Sequence, residues 1–288
     1  MDKYNVYQDM SRRTGGEIYL GIVGPVRTGK STFIKRFMEL VVIPEMSDDN
    51  EKVRTIDELP QSADGKTIMT TEPKFIPKEA AVIHFSNQET GKIRLIDCVG
   101  YLVPEAVGAI EEEKERMVKT PWSEEEIPFS KAAEIGTSKV IREHSNLGLI
   151  ITTDGSFGDI AAVNFEEALQ KTVMECEKAG KPFLILVNTS RPDSQETIQF
   201  TKRLEAQYGK TVMAVNCKTM DREDVFRIME QLLADFPITR LNFLLPKWVE
   251  FLQPDNWLKQ DLIEKCRNVI QKVHTMKDIQ DDSIQMQA

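Results

Sequence analysis

Short apolar runs alternate with stretches of helical periodicity along most of the chain. Six runs have the composition of buried strands, at residues 18–23, 81–85, 93–96, 147–152, 183–187 and 212–215. Between several of them lie four stretches with apolar residues three and four apart, at residues 31–40, 165–179, 196–208 and 222–233. This alternation predicts an α/β fold, in which helices cover both faces of a mostly parallel sheet and ligands bind at the carboxyl ends of the strands.

Two long segments interrupt the alternation. Residues 41–78 show little strand or helix pattern, and residues 104–145 are dense in charge. A connection of that length inside a compact domain is usually functional, mobile or partly helical. The glutamate runs of the second segment are typical of a solvated helix face.

The pattern changes after residue 237, and we expect one domain at residues 1–237. An amphipathic helix is predicted by apolar residues at helical spacing, which are Leu258, Leu262, Cys266, Val269, Ile270 and Val273. This helix either packs on the first domain or belongs to a second one. Residues 238–288 are therefore expected to be a helical extension, or the start of a following domain that the chain does not complete.

Charge and composition exclude several classes of protein. The chain has 37 Lys and Arg against 46 Asp and Glu, a net charge of -9, and no segregated basic face, so we expect no nucleic-acid partner. No apolar run approaches the roughly 18 residues that span a bilayer, and residues 1–13 are too polar for a signal peptide, which predicts a cytoplasmic protein without a transmembrane segment. The 4 cysteines are far apart and are expected to be buried structural residues rather than zinc ligands.

The strongest motif is G-x-x-x-x-G-K-S at residues 24–31, which follows a predicted strand and opens a predicted helix. Glycines let the backbone approach phosphate oxygens, and the N–H groups of such a loop bind anions. We expect Lys30 to contact the β and γ phosphates and Ser31 to hold Mg²⁺. The candidate nucleotide-binding residues of the loop are Gly24, Arg27, Thr28, Gly29, Lys30, Ser31 and Thr32.

Two further segments carry candidates for the γ-phosphate and the metal. The third apolar run ends in D-x-x-G, in which Asp97 would bind Mg²⁺ through water and Gly100 would offer its N–H to the γ-phosphate. Thr70 and Thr71 precede the second strand, where phosphate-switch proteins place a hydroxyl that completes the Mg²⁺ shell only while the γ-phosphate is present. The sequence does not decide which threonine faces the metal.

This arrangement resembles the translation-factor-like class of P-loop GTPases, but its base-side loops depart from that class. The class has N-K-x-D after the fifth strand, whereas here Asn188 fits, Thr189 replaces the lysine and Arg191 replaces the aspartate. A carboxylate reads guanine and arginine offers only donors, so guanine selectivity is expected to be lost. Asp193 stands two residues late and is kept as an alternative base contact. The last base-side loop offers Asn216 and Cys217.

The residue that orients the attacking water is not evident. Tyr101 follows the D-x-x-G motif at the position where Ras-like enzymes carry a glutamine, so slow intrinsic hydrolysis is expected unless another residue or subunit positions the water. Arg27 is a candidate charge stabiliser inside the phosphate loop, with an exposed surface arginine as the alternative.

Together these segments resemble the stage IV sporulation protein A family of spore-forming Firmicutes over essentially the whole chain. The segments that carry the resemblance are residues 24–32, the pair Thr70 and Thr71, residues 97–100 and the unusual residues 188–193. The resemblance implies a fold like that of the GTPase class but with ATP as the substrate. It also implies that Lys30 is the phosphate lysine, Asp97 the second metal-site acid, and the two threonines γ-phosphate sensors.

The resemblance further implies a function and partners. Family members polymerise on the forespore surface, in the mother-cell cytoplasm, as the base layer on which the spore coat assembles. They are longer than this chain, and their C-terminal region is implied to dock on a small amphipathic membrane-bound coat peptide, beside other coat proteins. We therefore expect a Mg²⁺-dependent ATPase that drives polymerisation. A GTPase-type switch and a nucleotide-binding scaffold without significant turnover are the alternatives.

Overall fold

The chain forms two compact units, residues 1–232 and residues 233–288. The structure is a computed structural model, which describes residues 17–60, 72–84, 90–106, 110–111, 114–234, 238, 241–275 and 278. In chain order the described strands are β1 (Glu17–Val23), β2 (Lys74–His84), β3 (Thr90–Asp97), β4 (Ile110–Glu111), β5 (Lys114–Glu115), β6 (Met117–Thr120), β7 (Ser123–Pro128), β8 (Leu147–Thr153), β9 (Phe183–Asn188) and β10 (Val212–Val215).

The first unit is built on a six-stranded sheet with the order β10-β9-β8-β1-β3-β2. Neighbouring strands pair in parallel except β2, which runs antiparallel to β3. All residues of β8 and β9 are buried, as expected for continuous apolar strands that are covered on both faces. The strand β1 pairs with β3 on one side and β8 on the other, so the loop that follows β1 leaves from the middle of the sheet.

Helices cover both faces of this sheet, as the alternation predicts. In chain order the described helices are α1 (Lys30–Phe37), α2 (Asp49–Glu58), α3 (Phe129–Lys139), α4 (Glu166–Ala179), α5 (Gln195–Tyr208), α6 (Arg222–Ala234) and α7 (Trp257–Lys272). Single π-helical turns extend α1 at Met38–Val42 and α3 at Val140–His144. The six predicted strands and the four predicted helices of this region are confirmed, with shifts at their ends.

The segment 41–78 is partly helical and holds more regular structure than its sequence pattern indicated. It contains α2, whose amphipathic signal is weak because Thr55 is its buried residue while Val53 and Ile56 are exposed. It also contains the start of β2, where Pro77 breaks the strand pattern. This proline lies in the irregular stretch between Ile76 and Ala81, where the register with β3 shifts.

The segment 104–145 is partly helical, as one of its interpretations predicted, because α3 lies within it. The rest of its described residues include the hairpins β4–β5 and β6–β7. The helix-face interpretation of the glutamate runs was wrong, since Glu125 and Glu126 are exposed residues of β7. Exposed positions on a two-stranded hairpin accept charge as readily as a helix face does, so charge alone did not distinguish them.

The second unit contains a 3-10 helix at Lys247–Phe251 and the helix α7, which confirms the predicted amphipathic helix. The side chain of Asn256 caps α7 by accepting a hydrogen bond from the N–H of Leu258 at 3.0 Å. Several large apolar side chains of this unit are exposed, namely Leu244, Trp248, Phe251 and Trp257. Among the described helices, none is long and apolar enough to cross a membrane.

The cysteines follow the expected burial in three cases. Cys98, Cys176 and Cys217 are buried free thiols, and Cys266 is half-buried. Cys98 and Cys176 both belong to the apolar cluster between strands and helices. Because Cys98 and Cys176 are buried among apolar side chains, they are residues of the hydrophobic core.

Candidate nucleotide site

The phosphate loop connects β1 to α1 and depends on two glycines. Gly24 has φ 128°, and a Cβ atom there would lie 2.3 Å from the carbonyl oxygen of Ile151. Gly29 has φ 94° and is the N-cap residue of α1. Left-handed backbone and close neighbours both require glycine, so the loop can wrap tightly before the helix begins.

Lys30 lies inside the curve of this loop. Its side chain is buried, and its Nζ donates hydrogen bonds to the carbonyl oxygens of Gly24 at 3.2 Å and Pro25 at 2.5 Å. Burial lowers the pKa of Lys30, while the nearby Cys98 and Asp97 oppose that shift. The ammonium group is thus held by loop carbonyls at the place where phosphate oxygens could replace them.

Asp97 ends β3 beside the first turn of α1. Its Oδ2 accepts a hydrogen bond from the Ser31 hydroxyl at 3.5 Å, and its buried Oδ1 has no hydrogen-bond partner within the described part of the chain. Burial raises the pKa of Asp97 to about 6, against the lowering effect of Lys30. A carboxylate oxygen without a partner and a neighbouring hydroxyl are oxygen ligands of the kind that Mg²⁺ prefers, so these residues fit the metal.

Gly100 and Tyr101 join the D-x-x-G segment to the phosphate loop. Gly100 has φ 91°, and a Cβ atom there would lie 2.0 Å from the Gly24 carbonyl oxygen and 2.7 Å from Lys30 Nζ. The N–H of Val26 donates to the Tyr101 carbonyl oxygen at 2.9 Å. The D-x-x-G segment and the phosphate loop are therefore packed directly against each other around Lys30.

The Tyr101 ring does not take the place of a water-orienting side chain. It is buried in an apolar cluster whose other buried members are Val26, Val103, Ile160, Phe165 and Ala168. Burial raises the pKa of its hydroxyl. The side chain therefore serves packing beneath the phosphate loop.

Asn188, at the end of β9, links the phosphate loop to the last base-side loop. Its Nδ2 donates to the Thr28 carbonyl oxygen at 3.1 Å, and its Oδ1 accepts from the N–H of Cys217 at 3.0 Å. A Cβ atom on Gly29 would lie 2.3 Å from the same Nδ2. Four of the sequence candidates, Thr28, Gly29, Asn188 and Cys217, are thus brought together.

The remaining candidates have distinct positions. The guanidinium of Arg191 is exposed and forms an ion pair with Glu196 at 3.1 Å. The Oδ1 of Asn216 accepts from the N–H of Lys218 at 3.0 Å, which shapes its own turn. Thr32 is half-buried in the first turn of α1.

Arg27 and the two threonines complete the candidates. Arg27 is exposed and has φ 63°, a conformation that costs a residue with a side chain about 1 kcal/mol or more. Thr70 and Thr71 lie outside the described residues. Their expected role as γ-phosphate sensors stays a prediction.

Sequence reasoning named no candidate in the loop that directly follows β8, and two residues of that loop contact the segment after β9. Asp154 accepts a hydrogen bond from the Thr189 hydroxyl at 2.6 Å, and Ser156 Oγ accepts from the N–H of Ser190 at 2.8 Å. The signal was available in the D-G-S sequence that follows the buried run 147–152, because the carboxyl ends of parallel strands meet at one edge.

This geometry defines a P-loop nucleotide-binding domain of the α/β class. Residues 1–237 match the family model described as "Stage IV sporulation protein A, ATPase domain", and residues 238–288 match the model of the middle domain of the same protein. The chain therefore belongs to the stage IV sporulation protein A family.

Curated relatives agree with this assignment. The chain is 47% identical over 279 residues to the stage IV sporulation protein A of Bacillus subtilis (strain 168), which covers 97% of this chain and 57% of that protein. It is 45% identical over 276 residues to that of Clostridioides difficile (strain 630), with 96% and 56% covered. The chain thus spans little more than half the length of these relatives. Crystal structures of two mutation variants of SsGBP match with a TM-score of 0.41, at 13% and 14% identity over 78% and 79% of this chain and 58% and 60% of theirs.

Proposed function

We propose that this chain hydrolyses ATP in a Mg²⁺-dependent reaction that drives polymerisation of a spore coat basement layer on the forespore surface. The observation that carries the proposal is the buried Lys30 beside Asp97, which has an unpartnered carboxylate oxygen among the described residues. Hydrolysis is supported by the match of residues 1–237 to the ATPase domain of the family. The activity, substrate and partners of the whole protein belong to this proposal.

The phosphate side would work through charge and fixed hydrogen-bond donors. Lys30 exchanges its two carbonyl contacts for phosphate oxygens, while the loop N–H groups from Arg27 to Thr32 and that of Gly100 bind the β and γ phosphates. Ser31 and Asp97 would hold Mg²⁺, which would supply stabilisation of the negative charge that develops on the phosphate oxygens. Because Lys30 and the donors are already in place, little reorganisation is needed at the moment of reaction.

Three residues would act on the γ-phosphate. Thr70 and Thr71 sense it, one of them through the metal. Arg27 stabilises the transition-state charge, which its strained position inside the loop supports. The buried ring of Tyr101 leaves the attacking water without that side chain's help, and slow intrinsic turnover is expected.

The base side would bind the adenine nucleotide through Asn188, Arg191, Asn216 and Cys217. Arg191 at the position of the guanine-reading aspartate supports ATP over GTP. Asp193 is exposed and would serve guanine only in a GTPase-type switch. The sheet order, with one antiparallel strand at the edge, supports membership of the translation-factor-like class.

The nucleotide test compares binding and turnover of Mg-ATP and Mg-GTP side by side. We expect turnover of ATP with little of GTP, and loss of both binding and turnover in Lys30→Ala. The matched control is Lys202→Ala, which removes an exposed lysine of α5. A preference for GTP would contradict the assignment of the base-side residues to ATP. ATP binding without turnover would favour the nucleotide-binding scaffold over the ATPase. Wild-type turnover in Lys30→Ala would refute the assignment of Lys30 to the phosphates.

The assembly test follows light scattering of the full-length protein. We expect polymer with ATP and less polymer with a non-hydrolysable analogue or in the Thr70→Ala/Thr71→Ala variant, which should still bind ATP. Thr201→Ala on α5 is the control for loss of a threonine. Equal polymer yield in every sample would show that hydrolysis is not coupled to assembly. Contacts with a membrane-bound coat peptide and other coat proteins are assigned to regions beyond this chain.

A further inference from the structure

A pair of side chains joins two loops on the base side of the site. We call residues 188–194, which begin with the last residue of β9, the base loop, and residues 154–158, which follow β8, the β8 loop. Thr189 is buried with 0% exposure, and its hydroxyl donates to Asp154 Oδ2 at 2.6 Å. A contact of this length between a hydroxyl and a carboxylate is a charge-assisted hydrogen bond, which is stronger than a neutral one.

A second pair of bonds runs beside the first. The other carboxylate oxygen of Asp154, Oδ1, accepts from the N–H of Ser156 at 3.0 Å. Ser156 Oγ in turn accepts from the N–H of Ser190 at 2.8 Å. Asp154 therefore fixes the shape of the β8 loop and attaches the base loop to it.

The same hydroxyl also organises the base loop itself. Thr189 Oγ1 accepts from the N–H of Arg191 at 3.2 Å, and the buried Thr197 donates to the Arg191 carbonyl oxygen at 2.9 Å. Both backbone groups of Arg191 are thus held. The preceding residue, Asn188, contacts the phosphate loop through Thr28.

We propose that Asp154 and Thr189 are positioning residues that hold the base loop in the conformation that binds the nucleoside half of a nucleotide. This inference rests on the proposed function and deepens it. Thr189 stands where the GTPase class has a lysine, and its short side chain is turned to a carboxylate of the neighbouring loop. The hydrogen bonds of Asp154 and Thr189 therefore stabilise the β8 loop and the turn at Arg191 together.

The test separates the two halves of the ligand by using ADP and inorganic triphosphate as probes. In the full chain, Thr189→Val removes the hydroxyl at nearly constant volume, and Asp154→Asn removes the charge. Both should weaken ADP binding about tenfold, the factor expected for loss of a hydrogen bond to a charged group, and leave triphosphate affinity unchanged. Thr189→Ser should restore ADP affinity.

The matched control is Thr172→Val on α4. Thr172 is also a fully buried threonine, and its hydroxyl donates to the Ala168 carbonyl oxygen at 2.8 Å within the helix. This variant also loses a buried threonine hydroxyl, but it should bind ADP and triphosphate as the wild type does. Ser156→Ala, at an exposed position, should weaken ADP binding by a smaller factor. If Thr189→Val does not fold, the positioning role is tested by ADP binding to Ser156→Ala instead.

The outcomes distinguish the inference from the function on which it rests. Equal weakening of ADP and triphosphate, or ADP affinity in Thr189→Val equal to that of Thr172→Val, would overturn the positioning role alone. If the wild-type chain bound triphosphate but neither ADP nor GDP, the proposed function would fail, and the positioning role with it.

Discussion

Replacing Gly100 with alanine tests whether the D-x-x-G segment and the phosphate loop form one unit. The new Cβ atom would lie 2.0 Å from the Gly24 carbonyl oxygen and 2.7 Å from Lys30 Nζ. Contacts of a Cβ atom below 3.0 Å are essentially never seen in proteins, so one segment must move by about 1 Å. The backbone at φ 91° also disfavours a side chain. The matched control is Gly180→Ala, because Gly180 has φ 63° at the C-cap of α4 and nothing within 4 Å of its added Cβ atom.

The two substitutions share the conformational cost and differ in the clash. A left-handed alanine costs about 1–2 kcal/mol, which is the loss of unfolding free energy expected for Gly180→Ala. Gly100→Ala adds about 1–3 kcal/mol of overpacking. A displacement of about 1 Å near reacting groups costs on the order of a hundredfold in rate, so turnover should fall by about that factor.

Urea unfolding and steady-state ATP turnover measure the two effects separately. We expect Gly180→Ala to be less stable than wild type with normal turnover, and Gly100→Ala to lose more stability and most of its turnover. If both variants lost the same stability and kept the same turnover, the close packing of Gly100 against the phosphate loop would have no role in the reaction.

Three further predictions concern single side chains. The pKa of Asp97 is about 6 in the folded protein, above the usual 3.8. The protonated carboxyl therefore contributes its full stabilisation of the folded state below about pH 3.8, and this contribution is lost as the pH rises through about 6. Asp97→Asn should therefore stabilise the nucleotide-free, metal-free protein by up to about 3 kcal/mol at pH 7.5 and by little at pH 4. Equal urea midpoints of the variant and the wild type at both pH values would contradict this. Asn188→Ala should cost about 2–4 kcal/mol of unfolding free energy and weaken ADP binding, because it leaves the Thr28 carbonyl and the Cys217 N–H without their partner, and unchanged binding would argue against a link between the loops. Arg27→Gly should raise the unfolding free energy by about 1 kcal/mol, because glycine adopts φ 63° without the steric cost of a side chain. The same variant should have a turnover number at least tenfold lower, with unchanged KM. Unchanged turnover would show that Arg27 is a surface residue without a role in the reaction.

The core of the fold was predictable because its strands are continuous apolar runs. Both faces of β8 and β9 are covered, so every position had to be apolar. The helix α2 and the start of β2 were not predictable in this way. One is a polar helix with Thr55 as its buried residue, and the other contains Pro77 at an irregular stretch of the ladder.

The phosphate side of the site was largely predictable from spacing. Gly24, Gly29 and Lys30 belong to a local motif whose conformation the glycines set. The meeting of Ser31 with Asp97 followed from a simple rule, since the carboxyl ends of neighbouring parallel strands lie at one edge. The ring of Tyr101 could not be located from sequence, because its burial depends on side chains from several distant segments.

The base side shows why a missing motif residue is a weak guide to what replaces it. Comparison with N-K-x-D identified Thr189 as a loss, because the pattern records a ligand contact and no packing. In the folded chain the threonine hydroxyl donates to Asp154, 35 positions away in sequence, and accepts from the backbone of Arg191. A lysine at this buried position could not make both contacts, since its ammonium group has no acceptor. Thr189 thus lacks the lysine contact of the N-K-x-D pattern and holds the loop, including the backbone N–H of Arg191, through different hydrogen bonds.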